Sequence, residues 1–520
     1  MSEVKVNKIS PRSGTDVTLG DSSDTFTVPS GADLTIASGA TLTNAGTATG
    51  FPEYDDSVVQ SNIAMLGFKV AVNGSLTRYN LVDQSIDEFF DTSGVDASAS
   101  TNEYRVASGA NYYYWGASGT QPSGGDSTDT SVEGFTTQVF SASTGSLVIP
   151  GSGNVTILVV GGGGSGGNYY AGGGGAGGLV YKAVHAVTAN TYDAVIGAGG
   201  AAVTTISTVG NSGVDTTWTI NGGAQEFIAK GGGGGGYESA DNAVDGGSGG
   251  GNGYNNATGG ASTQSAQSGE SGSLGFGNAG GSGEGATGSY NTGGGGGAGA
   301  VGADGTADSS GNGGEGKDYS AIFGTALGDS GWFAGGGGGG ITENGTRQEG
   351  TGGAGGGSDG GTMTSDSSAA QANTGGGSGG GGTAATYRDS GAGGSGVILV
   401  RYADDEFLDI DDLTLQSTDA TALTAPTYGE FVTLIENAYG TATLNTDIKG
   451  YISRDSGTTF TQGTLVDEGS WGTNKKILGF HDLDISAQPS GTSMCYKITT
   501  HNQAASSKET RIYATSIGWR

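Results

Sequence analysis

The stretch Val155-Thr-Ile-Leu-Val-Val-Gly-Gly-Gly-Gly164 joins an apolar run to four consecutive glycines, and this junction decides the fold. Glycine supplies 111 of the 520 residues, about three times its usual share of ~7%. A bare glycine run buries no side chains and loses much backbone entropy on folding. Such a run therefore stays disordered, or it forms extended left-handed helices whose N–H and C=O groups bond to neighbouring helices.

The sequence around the glycine runs favours an ordered domain over the alternative, a low-complexity linker. Val155–Val160 precedes the first run and Gly396–Tyr402 follows the last one, and both have the composition of buried strands. Pairing these two strands with each other would close the segment into one domain. Four more strands are predicted between them, at Leu179–Val187, Thr191–Ile196, Thr216–Ile220 and Glu226–Ala229. We therefore predict an ordered domain of extended left-handed glycine helices for residues 134–403. Collagen is excluded because the Gly-X-Y period is absent and the chain has seven prolines.

The charge balance limits the possible partners. Lys and Arg number 20 against 51 Asp and Glu, a formal net charge of −31, and no basic cluster occurs. Nucleic acid and anionic membranes are therefore poor partners, and a negatively charged glycan would need high salt or bridging divalent ions. Cys495 stands alone, so no internal disulfide is expected. The first residues lack a signal peptide's apolar stretch, which predicts synthesis in a cytoplasm without export by that route.

The residues before the glycine-rich segment predict two further regions. In residues 1–53, Phe26–Ala32 is echoed by Leu34–Ala40, and such short β rungs bury an apolar face only when stacked or intertwined. An intertwined homotrimer is the simplest solution. In residues 54–133, apolar spacing predicts short helices at Ser57–Val72 and Leu81–Phe90, which would form a neck. The polar stretch Ala97–Ser131 is predicted to be a connector.

Residues 404–520 have the pattern of a compact β-sandwich. Strand-like segments follow one another with turn signals between them. The six predicted strands are Phe431–Ile435, Ala442–Arg454, Thr458–Val466, Lys475–Ile485, Thr492–Thr500 and Glu509–Trp519. The predicted fold class is mainly β, multidomain and fibrous, with intertwined N-terminal β rungs, a short helical neck, the glycine-rich sandwich and this C-terminal β-sandwich.

Several stretches resemble the tail fibres of marine phages, notably cyanophages. They include the opening Val6-Asn-Lys-Ile-Ser-Pro-Arg-Ser-Gly14, the segments Ile63–Lys69 and Tyr79–Glu88, and the strand-to-glycine passage at Val155–Gly164. The C-terminal stretch Ser453-Arg-Asp-Ser-Gly457 looks like part of a module that recurs at the ends of such fibres. The glycine-rich part also resembles adhesins of T-even-like phages, in which glycine helices stack into a sandwich.

The resemblance implies a protein of the virion that binds a bacterial surface. Its N-terminal region, including Val6, Ile9 and Pro11, would dock to phage tail or adaptor proteins. The loops between glycine helices would recognise a host lipopolysaccharide, glycan or outer-membrane protein. A purely structural fibre component, whose host-contacting tip is another protein, is the main alternative. A polysaccharide depolymerase and an ice-binding protein are further alternatives.

Aromatic residues among the glycine runs are the candidate receptor contacts, because ring faces stack on sugar rings. Packing against the edge of the glycine lattice is the alternative role, since large aromatics are usually buried. The candidates are Tyr169, Tyr170, Tyr237, Tyr254, Tyr290, Trp332 and Phe333.

No motif predicts catalysis, a cofactor or a metal site. Gly328-Asp-Ser-Gly331 mimics the nucleophile segment of serine proteases, but His185, His481 and His501 lack the context of a triad histidine. The acidic run Asp404–Asp412 could supply calcium ligands, yet it lacks the pattern of an EF-hand loop. A solvated hinge between domains is the favoured interpretation of that run.

Overall fold

The structure, a computed structural model, describes residues 78–520 except 82, 109–110, 222, 224, 239–242, 255–257, 265–274, 285–289, 342–347 and 384–386. In this part of the chain the helix α1 (Ser320–Phe323) is one turn long. No helix here is long and apolar enough to cross a membrane. The predicted β rungs, the predicted helix Ser57–Val72 and the docking residues Val6, Ile9 and Pro11 lie outside the described residues.

Strands make up most of the regular structure. The first part of the chain contains β1 (Arg78–Leu81), β2 (Gln84–Asp87), β3 (Glu103–Ser108), β4 (Asn111–Ser118), β5 (Ser127–Asp129), β6 (Phe135–Phe140), β7 (Thr144–Ile149), β8 (Gly153–Val160), β9 (Leu179–Val187), β10 (Asn190–Val195), β11 (Thr216–Ile220), β12 (Gln225–Ala229), β13 (Gly275–Phe276), β14 (Lys317–Asp318), β15 (Trp332–Phe333) and β16 (Val397–Ala403). The C-terminal part contains β17 (Asp409–Ile410), β18 (Thr414–Gln416), β19 (Ala420–Thr421), β20 (Tyr428–Tyr439), β21 (Ile448–Ser453), β22 (Thr461–Gly463), β23 (Val466–Gly472), β24 (Lys475–Asp484), β25 (Ser493–Thr500) and β26 (Glu509–Trp519).

Two packed sheets form the base of the glycine-rich domain, and we use the name base for them below. Their orders are β13-β9-β8-β16-β6-β5 and β12-β11-β10-β7. The predicted pairing of the two flanking strands is confirmed, because β16 runs antiparallel to β8 with Leu399 opposite Leu158. The four strands predicted between them are confirmed as β9 to β12. Between the sheets, Trp218 stacks on Tyr192 with ring centroids 5.3 Å apart, and both rings are buried.

Strands of the base continue directly into glycine helices, which bond to one another with a period of three residues. In the helix 171–178, the N–H groups of 172, 175 and 178 donate to the segment 230–236. Those of 173 and 176 donate to 291–298, and those of 174 and 177 donate to 375–382. Its carbonyl groups accept from 161–167, 246–253 and 334–341. This helix therefore has three residues per turn and six bonded neighbours, which is the hexagonal packing of polyglycine II.

At most positions only glycine fits between helices packed this closely, although a few small residues such as Ala176 are buried in them. A Cβ atom added to Gly174 would lie 2.2 Å from the carbonyl oxygen of Gly164, and one added to Gly163 would lie 2.0 Å from that of Gly376. Both distances are far below van der Waals contact, and the atoms in the way are backbone. The glycine runs therefore encode contacts between helices, and the base supplies the apolar core that orders them.

The C-terminal residues form the predicted β-sandwich. One sheet has the order β1-β2-β26-β20-β24-β23 with β3, β4 and β17 attached, and the other has β18-β25-β21-β22 with β19 attached. Their apolar faces share one core, in which Phe431 stacks on Phe480 at 5.1 Å and meets Tyr496 of the opposite sheet at 6.1 Å.

Among the described residues predicted to form a neck and connector, strands β1 to β4 belong to this C-terminal sandwich, whereas β5 (Ser127–Asp129) pairs with β6 in the base. The predicted helix Leu81–Phe90 is wrong, because Gln84–Asp87 is strand β2 and pairs with β26, with Ile86 opposite Ser516. All four residues of β2 are buried. The spacing of its apolar residues therefore comes from a strand that is covered on both faces, and not from one face of a helix. Within Ala97–Ser131, the aromatic strand β4 pairs with β3, β17 and β26.

The acidic run also differs from the predicted solvated hinge. Asp409–Ile410 is a strand of the C-terminal sheet. Asp404 accepts a hydrogen bond from the Thr136 hydroxyl at 2.6 Å, and Glu406 accepts one from the backbone N–H of Asn154 at 2.6 Å. The run therefore fastens the base of the glycine-rich domain to the C-terminal sandwich through defined bonds.

Candidate functional site

The glycine helices carry aromatic residues to the end of the lattice that lies farthest from the base. Helices 161–167 and 171–178 leave and rejoin the base through β8 and β9, and Tyr169 and Tyr170 lie in the turn between them. A helix of seven residues spans ~22 Å at ~3.1 Å per residue. We call this far end of the lattice the tip.

Five tyrosine rings meet at the tip. Centroid distances are 4.4 Å for Tyr169 to Tyr170, 5.3 Å for Tyr170 to Tyr254, 5.5 Å for Tyr170 to Tyr290, 4.8 Å for Tyr254 to Tyr290 and 5.1 Å for Tyr169 to Tyr387. Most of these pairs are edge-to-face, the geometry that aromatic rings prefer. None of the five rings is fully buried, and Tyr387 is 53% exposed. We refer to Tyr169, Tyr170, Tyr254, Tyr290 and Tyr387 as the tyrosine cluster.

The turn that starts the cluster has an unusual backbone. Tyr169 has φ of 79° and Tyr170 has φ of 49°, a left-handed region that bulky residues rarely occupy. Hydrogen bonds on both sides hold this turn: the N–H of Tyr170 donates to the Thr383 hydroxyl at 3.1 Å, and the N–H of Asn168 donates to the Thr208 carbonyl at 3.0 Å. Each such residue costs about 1–3 kcal/mol unless its surroundings impose the conformation. The lattice therefore fixes the direction in which both rings project.

The Tyr169 phenol and nearby carboxylates set the electrostatics of the tip. Burial, and secondarily the charge of Glu238, raise the pKa of Tyr169, so its hydroxyl stays protonated. Asp389 accepts a hydrogen bond from the side-chain amide of Asn168 at 3.2 Å, and Asp366 accepts one from the N–H of Asp389 at 3.1 Å. Such a surface can stack on apolar ring faces and exchange hydrogen bonds with hydroxyl groups.

The structure brings together four of the seven sequence-predicted aromatics, namely Tyr169, Tyr170, Tyr254 and Tyr290. Tyr237 lies at the same end, where its backbone is next to Gly253. Sequence reasoning missed Tyr387, although its position in a short loop after the glycine run 379–382 is the same signal that singled out the others.

Trp332 and Phe333 lie at the base, far from the tyrosine cluster. They form β15, and Phe333 is fully buried in one apolar cluster with Val160 and Leu179. Phe333 therefore packs as an anchor, the alternative role that the sequence left open, and it offers no surface to a ligand. Trp332 is half-buried beside it and pairs with Asp318.

The other candidate chemistry is not assembled in the described residues. His185 bonds to Glu226, His481 to Glu430 and Glu468, and His501 to Thr499, so none is directed at the serine of the 328–331 segment. No group of three or more potential metal ligands occurs in the part of the chain that the structure describes.

Comparison with known proteins adds one match. Residues 136–403, just over half of the chain, match a protein family described as a glycine-rich domain. The boundaries coincide with β6 and β16, which are neighbours in the larger sheet of the base. No curated protein matches the chain.

Proposed function

Because the chain belongs to the glycine-rich domain family, we propose that its glycine lattice displays a receptor-binding surface, and that the chain is a phage tail fibre protein that attaches the particle to its host. The proposed activity is binding, not catalysis. The proposed receptor is a host surface glycan, a lipopolysaccharide or an outer-membrane protein, contacted by the tyrosine cluster.

The convergence of the cluster is the observation that carries this proposal. Its five rings come from four separate loops between Tyr169 and Tyr387, yet they form one contiguous group. Exposed aromatics that gather on one surface are typical of binding sites, because burying them against a partner is favourable. Tyrosine also offers an apolar face and a hydroxyl, which suits the mixed surface of a sugar.

Rigidity of the support favours the same function. Hydrogen bonds to six neighbours hold helix 171–178 along its whole length. A ring displayed from such a support loses little conformational freedom when it binds, and preorganisation of this kind raises affinity. The loops at the tip contribute little to the lattice itself, so their sequences can change without altering the bonds between helices.

Under this proposal the chain is part of the virion and forms homotrimers. The support is the N-terminal repeat, whose short predicted rungs would bury an apolar face only when stacked or intertwined. The resemblance to marine phage tail fibres supports docking of the same region to tail or adaptor proteins. Mass photometry of the full chain tests the trimer directly.

The proposed function is tested by adsorption of the labelled full chain to host cells. We expect the double variant Tyr254→Ser, Tyr387→Ser to bind at least about five-fold more weakly, because each ring that stacks on the receptor contributes ~0.5–1.5 kcal/mol. Tyr439→Ser is the matched control, because Tyr439 is 54% exposed but belongs to the C-terminal sandwich. Equal binding by the parent and the double variant would exclude the tip as the sensor and favour the structural-fibre alternative.

A further inference from the structure

We propose that the tip selects its ligand by charge, so that the tyrosine cluster accepts uncharged saccharides and rejects acidic ones. This inference rests on the proposed function, since it names the ligand class of the same site. The rings provide the stacking surface, and the carboxylates of Glu238, Asp366 and Asp389 surround it.

The three carboxylates are fixed next to the cluster by the backbone of the tip. The N–H of Glu238 donates to the carbonyl oxygen of Tyr169 at 3.2 Å, and the Glu238 charge acts on the Tyr169 phenol. Asp389 follows Tyr387 by two residues and is bonded to Asn168, the residue before Tyr169. Asp366 is bonded in turn to the N–H of Asp389. These bonds link all three acidic residues to the turns that carry Tyr169 and Tyr387.

Within the described part of the tip, no ion pair neutralises these charges. Within the described residues, Glu238, Asp366 and Asp389 form no ion pair. The cation among the described tip residues is Arg388, whose Nε donates to the carbonyl oxygen of Met363 at 3.2 Å. Three carboxylates against one guanidinium give these described residues a net negative charge. Asp366 is exposed to solvent.

The physical consequence is selection against anionic ligands that depends on salt. Each carboxylate that faces a ligand carboxylate a few ångströms away weakens binding by a few-fold in a water-like dielectric. Salt screens this repulsion, because the Debye length falls from ~10 Å at 0.1 M to ~3 Å at 1 M. A neutral saccharide meets no such penalty, and the protonated hydroxyl of Tyr169 can donate to it.

A matched pair of probes tests the proposal with the full chain. The probes are dextran and carboxymethyl-dextran of equal length, together with polysaccharide extracted from cells that adsorb the chain, before and after chemical reduction of its carboxyl groups. At 0.05 M salt we expect each neutral member to bind about ten-fold more tightly than its acidic counterpart. At 1 M salt the difference should shrink to about two-fold or less.

Isosteric variants distinguish the effect of the tip carboxylates from that of the chain's overall negative charge. The triple variant Glu238→Gln, Asp366→Asn, Asp389→Asn keeps an oxygen acceptor at each position, and we expect it to gain at least about five-fold for the acidic probes alone. The control is Glu133→Gln, because Glu133 is exposed near the base, and it should leave both affinities unchanged. Equal gains in the control and the triple variant, or a parent that prefers the acidic probes, would overturn charge selection at the tip.

The outcome also distinguishes this inference from the proposed function. If neutral and acidic probes bind equally, and Tyr254→Ser, Tyr387→Ser still weakens binding, then charge selection fails while the tip remains the receptor-binding surface. If no saccharide probe binds the parent while cells still do, then the saccharide assignment is overturned and the receptor is a protein. If neither cells nor probes bind, both proposals fail.

Discussion

Replacing one glycine at the centre of the lattice tests the hydrogen-bond pattern most directly. In Gly174→Ala, the new methyl group would lie 2.2 Å from the carbonyl oxygen of Gly164, so helices 161–167 and 171–178 must separate by about 1 Å. Their bonds at Gly164 N to Gly175 O (2.8 Å) and Gly161 N to Gly178 O (2.9 Å) would then exceed hydrogen-bond length. Breaking two or three buried bonds at ~1–1.5 kcal/mol each predicts a destabilisation of about 2–4.5 kcal/mol.

Gly151→Ala is the matched control for this substitution. A Cβ atom at Gly151 meets nothing within 4 Å, and its φ is not in the left-handed region, so its stability should change by less than about 1 kcal/mol. Calorimetry of the full chain should show the glycine-rich transition of Gly174→Ala about 10 °C lower than that of the control, at ~2–4 °C per kcal/mol for a domain of this size. Equal transition temperatures would refute the argument that backbone contact dictates glycine in the lattice.

Three further predictions concern the C-terminal sandwich. Phe431→Ala should destabilise it by about 3–5 kcal/mol, measured by urea unfolding, because the ring is buried between the two sheets. Hydrogen bonds from His481 to Glu430 and Glu468 raise the pKa of its imidazole to about 10. Since an unfolded histidine titrates near ~6.5, this stabilisation is complete below that pH and is lost as the pH rises towards 10. Unfolding curves from pH 6 to 10 should show a decline that His481→Gln removes. Burial raises the pKa of the Cys495 thiol to about 12, so thiol reagents at pH 8 should label it only after unfolding, and rapid native labelling would contradict its burial.

The base and the lattice could be predicted because their signals are local. Val155–Val160 and Val397–Tyr402 are apolar runs with glycine at their boundaries, which is sufficient to identify buried strands and to pair them. Glycine runs leave few ordered options besides helices held by neighbouring backbones. Neither conclusion depends on knowing what the distant parts of the chain do.

Strand β2 could not be predicted, because its environment comes from the far end of the chain. The first two residues of Gln84–Asp87 are polar. The segment becomes a buried strand only through pairing with β26, where the Gln84 side-chain amide donates to the Ser516 hydroxyl at 2.9 Å. Tertiary context of this kind overrides local periodicity. The same applies to β4, whose partners β17 and β26 lie near residues 410 and 512.

The candidate site was predicted only in part, and the reason differs from the one that applies to β2. Composition identifies the aromatics that flank glycine runs, but it does not say whether a given turn lies at the tip or at the base. Tyr170 precedes a helix that returns to the base, whereas Phe333 precedes one that leaves it. Deciding between the two requires the direction of every helix in the lattice, and this follows only from the complete set of bonds between them.

The period of three in the lattice bonds also determines which changes of length the chain can tolerate. One residue inserted into a glycine helix would rotate every later N–H group by 120° and direct it at the wrong neighbour. Three inserted residues would restore the phase and add one turn of ~9 Å to the helix. Insertions and deletions inside the helices should therefore be accepted in multiples of three, whereas the turns at the tip are free of this rule. In a lattice of this kind, the glycine helices would change length in steps of three residues, whereas the loops would change length by single residues.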